Sequence, residues 1–202
     1  MKTQIITIFA ALVLSAGIAA TSYATPVNNS NVTVLNDITS INQIEVRGNV
    51  ELYISNGTTN QVKVYNKYYA ENALVQDKNG VLRITSYNPE QLVVWVSAAD
   101  LRSVSAYDNS EVKSFGNFSS IDFSVDIHNN AIAHLDLDAF NANLTVADQA
   151  KAVLTGNVEQ YDLKYRQVSN ITYTGFRAAH TSKVQLGIVA VVKPAKDDFA
   201  DL

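Results

Sequence analysis

The sequence predicts an all-β protein in which a strand-and-hairpin N-terminal part leads into a solenoid of stacked rungs, each of ~20 residues. Three observations predict it. Apolar and polar residues alternate through most of the chain, and helical periodicity is hard to find. Turn-forming clusters separate the alternating runs. From about Leu101 the strands recur as a repeat.

The chain opens with Met1-Lys2, an apolar run from Ile5 to Ala20, and a small-x-small signal ending at Ala24. That pattern predicts a secretory signal peptide over 1–24. The apolar run is shorter than the roughly 20 residues a spanning helix needs. No other stretch is long and apolar enough to cross a bilayer, so no transmembrane segment is expected in the mature chain. Residues 25–40 are expected to be a flexible lead-in and 41–192 a single β domain. Within it, 41–100 is the strand-and-hairpin part and 101–176 holds the rungs, while 193–202 is a charged tail.

Composition narrows the function. Net charge is −4, and loss of the signal peptide takes it to −5 because Lys2 is the only charge removed. Lys and Arg are scattered without a basic run, which argues against a nucleic-acid partner. Cysteine is absent, which excludes disulfides, thiol catalysis, thiolate metal sites and lipid attachment through an N-terminal cysteine.

In the N-terminal part, Ile44 and Val46 share one face, followed by Val50, Leu52 and Ile54. Val62 pairs with Val64, Leu82 with Ile84, and Val94 with Val96 in the same way. Asn79-Gly80 is the sharpest hairpin signal, because both residues tolerate the positive φ that tight primed turns need. In the repeat, Val104, Val125, Val146 and Tyr165 occupy matching places at spacings of 21, 21 and 19. Polar pairs fill the middle of each copy: Asp108-Asn109, Asn129-Asn130, Asp148-Gln149 and Ser169-Asn170. Stacked rungs would place like above like, since a single rung cannot bury its apolar face.

The run "INQIEVRGNVELYISNGTTNQVKVY", then "NGVLRITSY", "LRSVSAYDNSEVKSFG" and the later rungs resemble the GIN-domain family of auto-transporter adhesin heads. The resemblance spans about Ile41 to Gly175. It implies a right-handed parallel β-helix, export by a Gram-negative bacterium, and a role in cell adhesion without catalysis. One departure is visible: rung turns that the family often builds from Gly-Ser-Gly read "DNS", "HNNA", "DQA" and "VSN" here.

Several side chains merit a functional test. His134, Asp136 and Asp138 alternate along one strand face and carry metal-ligating groups. Residues two apart on a strand sit ~6.6 Å from each other, so a solvated face is the expectation and no metal is assigned. Asp122 and Asp162, flanking Asn143 at related rung positions, would suit acid–base work on a polysaccharide, with Arg166 or Arg177 beside them. Solvated aspartates at strand starts are the expectation for them, and no sharp enzyme motif occurs. Tyr65, Tyr68 and Tyr69, with Trp95 near them in sequence, offer rings for stacking on a sugar or for closing an open end of the stack. Asn129 and Asn130 offer turn amides. "LGIVAVV" at 186–192 is expected to form a final strand.

The expected function is therefore an exported, non-catalytic, adhesin-like binding protein with no cofactor. It would be located in the periplasm, on the cell surface or outside the cell. Its expected partner is a carbohydrate or another cell-surface component, with self-association as a further option. A polysaccharide lyase or hydrolase and a periplasmic structural or assembly protein are the alternatives.

Overall fold

The computed structural model describes residues 32–35, 38, 40–65 and 73–187. Tyr68, Tyr69, the signal region and residues 188–202 lie outside them. Fourteen strands follow in chain order. They are β1 (Val32–Leu35), β2 (Gln43–Gly48), β3 (Val50–Asn56), β4 (Gln61–Tyr65), β5 (Ala73–Lys78), β6 (Val81–Ser86) and β7 (Leu92–Ala98). Then come β8 (Ser103–Ala106), β9 (Glu111–Ser114), β10 (Phe118–Ile127), β11 (Ile132–Val146), β12 (Lys151–Tyr165), β13 (Ile171–Tyr173) and β14 (Arg177–Gln185).

The fold is all-β, but the right-handed parallel β-helix with a strand-and-hairpin preface is not what forms. The strands make one curled sheet, half-barrel in form, that mixes parallel and antiparallel pairs. Its main path runs β1-β4-β7-β3-β9-β11-β10-β8-β2-β6-β5, with β12, β13 and β14 beyond β11. The N-terminal strands do not precede the repeat. Instead β2 lies between β6 and β8, and β3 between β7 and β9. Burial explains this placement: Ile44 sits beside both Leu82 and Val104, and Leu52 beside both Val94 and Val112. All six are fully buried. The antiparallel strands β4 and β5 pair with the edges of β7 and β6 that would otherwise stay open.

The rung register also needs correction. Val104 neighbours Val125, but Val125 neighbours Leu144, not Val146. Val146 lies beside Ile127 and Tyr165 instead. The spacings are thus 21, then 19, then 19 along Val104, Val125, Leu144 and Leu163. Ser169-Asn170 does not continue the polar turns; it falls in a 3-10 turn over Val168–Asn170. The other three turns do stack: Asn130 N–H donates to Asp108 O and Gln149 N–H to Asn129 O. Asp108, Asn129 and Asp148 hold φ of 64°, 59° and 54°, a region Asn and Asp tolerate. Behind them the small residues Ser110, Ala131 and Ala150 are fully buried. Asn79 (φ 55°) and Gly80 (φ 78°) make the expected hairpin between β5 and β6.

The long strands curl at fixed points. In β11 the inward residues are Leu135, Leu137 and Ala139, then Ala142, Leu144 and Val146. The parity changes because two consecutive residues, Phe140 and Asn141, both stay out of the core. Ile121-Asp122 in β10 and Glu159-Gln160 in β12 do the same at the same level. Gly156 (φ 96°) lets β12 pass close to Leu137 O, where a Cβ would overlap the carbonyl. At the β12 side, Tyr161, Tyr173 and Phe176 cluster with ring centroids 5.0–6.3 Å apart. Only Leu186 and Gly187 of the apolar 186–192 run lie within the described residues, and neither is in a strand.

Candidate functional site

The outward face of β4, β7, β3 and β9 carries a cleft. Strand alternation builds it: Leu92, Val94, Val96 and Ala98 point inward, so Val93, Trp95 and Ser97 point out. Pairing then sets a row across the sheet of Lys63, Trp95, Tyr53, Lys113 and His134. The next row is Gln61, Ser97 and Ser55. Trp95 Nε1 donates to Ser55 Oγ at 3.1 Å, which fixes the plane of the indole. Lys63 Nζ lies 5.1 Å from the Trp95 ring centroid. Phe115 tilts against Trp95 at 49° with centroids 5.2 Å apart, and it is 62% exposed.

These residues enclose about 360 Å³ together with Asn56 and Asn117. Asn56 is locked: its Nδ2 donates to Ser119 O at 2.8 Å, and its Oδ1 accepts from Ser119 N–H at 2.7 Å. One wall interrupts the repeat. Val112 to Phe118 spans two residues more than the matching stretch from Ala133 to Leu137. Phe115-Gly116-Asn117 therefore stands where the neighbouring strand β11 has Asp136 alone, with Gly116 at φ 76°. Asn56 also borders a second hollow of about 400 Å³, lined by Arg102, Ser119 and Asp122 among others.

Beside the cleft lies a charged network. Lys113 Nζ donates to Glu51 Oε1 at 2.6 Å and pairs with Glu111 Oε1 at 2.9 Å, while Tyr53 O–H donates to Glu51 at 2.8 Å. The Lys113 hydrogen bond holds the Glu51 carboxyl below the ordinary glutamate value. Partial burial opposes the Lys113 charge, but the bonds to Glu51 and Glu111 outweigh it and raise the ammonium pKa. Farther round the sheet, Arg47 sits 4.0 Å over Tyr107, which stacks on His128 at 5.0 Å. Arg47 also pairs with Glu45 at 2.7 Å.

The residues singled out from sequence fall as follows. His134, Asp136 and Asp138 do share the outward side of β11, but each faces a different neighbour. His134 Nε2 is 3.5 Å from Glu111, Asp136 Oδ1 accepts from Asn117 Nδ2 at 3.3 Å, and Asp138 pairs in register with Ser119 and Asn157. Among the described residues no group of three or more His, Cys, Asp or Glu side chains could hold a metal. Asp122 and Asp162 are not in one column: Asp122 neighbours Asn141, while Asn143 neighbours Asp162 and Ser124. Arg166 Nη1 binds Asp148 at 3.3 Å, and Arg177 is in register with Asn157. Tyr65 ends β4 at 38% exposure, outward like Lys63 but outside the cleft lining. Asn129 and Asn130 lie at the turn before β11, four strands and roughly 19 Å from β4 by strand spacing. Their groups bond along the stack: Asn129 N–H donates to Asp148 Oδ2 at 3.0 Å, and Asn130 Nδ2 to Asn109 Oδ1 at 3.3 Å. The cleft residues Lys63 and Phe115 were missed. The usable signals were the outward phase of Trp95 in "VVWVS" and the odd glycine turn in "SFGN".

Residues 41–187 match the family "Putative auto-transporter adhesin, head GIN domain". Similar crystal structures include a "putative adhesin" from Parabacteroides merdae, 14% identical with TM-score 0.61 and 77% of each chain covered. Another "putative adhesin", from Bacteroides fragilis, is 12% identical with TM-score 0.57, covering 76% of this chain and 78% of that one. A "putative lipid binding protein" from Parabacteroides distasonis is 9% identical with TM-score 0.60, covering 76% and 77%. At such identities these likenesses carry the fold alone. No curated protein matches.

Proposed function

We propose, because this chain belongs to the GIN-domain family of auto-transporter adhesin heads, that it is an exported, non-catalytic binding protein holding a saccharide in the Trp95 cleft. The observation that carries this reading is the Trp95–Phe115 pair, 5.2 Å apart, flanked by the hydroxyls of Ser55 and Ser97 and the amides of Gln61 and Asn117. The exposed part of this ring pair, chiefly Phe115, offers apolar surface to the C–H side of a sugar, and the short polar side chains meet its hydroxyls. The hydrogen bond from Trp95 to Ser55 pre-orients the larger ring, so little side-chain freedom is lost on binding.

A glycan array with wild-type protein, Trp95→Phe and Phe115→Ala tests this. Binding without turnover, reduced roughly tenfold or more by either substitution, is the expected result, since aromatic anchors dominate such sites. Equal binding by all three proteins would remove the site. Vesicles of neutral phospholipid serve as the comparison, because one fold relative is named for lipid binding; retention on vesicles but on no glycan would favour that chemistry.

A further inference from the structure

We infer that the saccharide taken by this cleft is acidic, with Lys63 pairing to a sugar carboxylate. The inference rests on the saccharide reading above. Among the described residues Lys63 is the one charged side chain lining the cleft, and no carboxylate lines it. The nearby acids are engaged elsewhere: Glu51 and Glu111 bind Lys113, and Asp136 accepts from Asn117. Lys113, three strands away in the same row, shows what a neutralised lysine looks like here, with two carboxylates within 3 Å. Among the described residues Lys63 has no carboxylate at ion-pair distance; its ammonium lies over the Trp95 ring instead, 5.1 Å from the centroid.

The placement matters as much as the charge. Lys63 and Trp95 are directly opposite in the antiparallel β4–β7 pair, so their Cβ atoms are about 5 Å apart. A pyranose resting on the exposed Phe115 side of the ring pair would present a ring substituent toward the ammonium over the neighbouring indole. The molecule as a whole is acidic, at −4, so it repels anions except where a local cation is exposed. A lysine over the indole, without a carboxylate partner among the described residues, therefore selects a carboxylated sugar over its neutral counterpart.

The chain holds a single tryptophan, so its intrinsic fluorescence reports on this cleft directly. Trigalacturonate and sialyllactose would be titrated at low salt against galactotriose and lactose, using wild type and Lys63→Met. The expected result is about fivefold tighter binding of at least one acidic sugar than of its neutral partner. Lys63→Met or high salt should erase that preference, bringing the acidic sugar's affinity to that of its neutral partner measured under the same conditions. Equal affinities for both members of each pair, or a preference that survives Lys63→Met, would overturn the inference and leave the saccharide reading standing. If no sugar perturbs the fluorescence, the saccharide reading itself fails and this inference falls with it. Triglutamate supplies carboxylates without a ring: saturable binding of it at comparable affinity would show an anion site, not a sugar site, and would also overturn the inference.

Discussion

At the scale of single residues, Glu51 makes the clearest pH-dependent contribution. Its side chain is only 15% exposed and meets Lys113 at 2.6 Å. Its folded pKa lies below the ordinary value of 4.5, so its stabilisation is fully present above that value. The contribution is lost as pH falls through the lower folded pKa. Glu51→Gln should therefore cost about 1–2 kcal/mol near neutral pH. The gap between the two proteins should close in acid, as thermal melts across the pH range would show. A constant gap at all pH values would mean packing, not charge, links Glu51 to the fold. The same residue-scale logic separates two glycines. Gly156 and Gly175 both hold positive φ, but only at Gly156 would a Cβ collide with backbone. Gly156→Ala should cost about 2–3 kcal/mol, a drop in Tm on the order of 5–10 °C. Gly175→Ala, with open space around it, should cost less than half as much.

At the scale of elements, the sequence was readable wherever period 2 carries the information and unreadable where it does not. Which residues of β2, β3, β6 and β7 face the core followed from alternation, because each strand buries every second side chain. The Asn79-Gly80 hairpin followed from φ requirements alone. The rung register did not follow. Val125 and Ile127 face the same way, as do Leu144 and Val146, so a shift of two residues keeps every apolar residue inside. The backbone resolves this by keeping Asp108, Asn129 and Asp148 superposed at the turn, a constraint that apolar matching ignores. The insertion of β2 and β3 among later strands was hidden for a related reason. Alternation states which face is buried but says nothing about which strand lies alongside. The cleft suffered likewise: Trp95 was legible as outward, but Lys63 reaches it only through an antiparallel pairing.

At the scale of the whole molecule, the sheet is uneven in how firmly its strands are held. β3 is hydrogen-bonded on both sides, to β7 and β9, with Val50, Leu52 and Ile54 fully buried. Among the described residues β14 pairs with β12 alone, and its side chains are exposed nearly throughout. Amide hydrogen exchange should show β2 and β3 exchanging last, near the global unfolding limit, and β14 exchanging first. Uniform protection across the strands would contradict this graded picture. The wall formed by Phe115-Gly116-Asn117 has a consequence for how such proteins diversify. Because this loop is longer than the matching stretch of β11 by two residues, an even number, it leaves the downstream side chains of β10 on their proper side. A lineage can lengthen, shorten or recolour that one bend and reach new ligands while the stacked interior stays untouched.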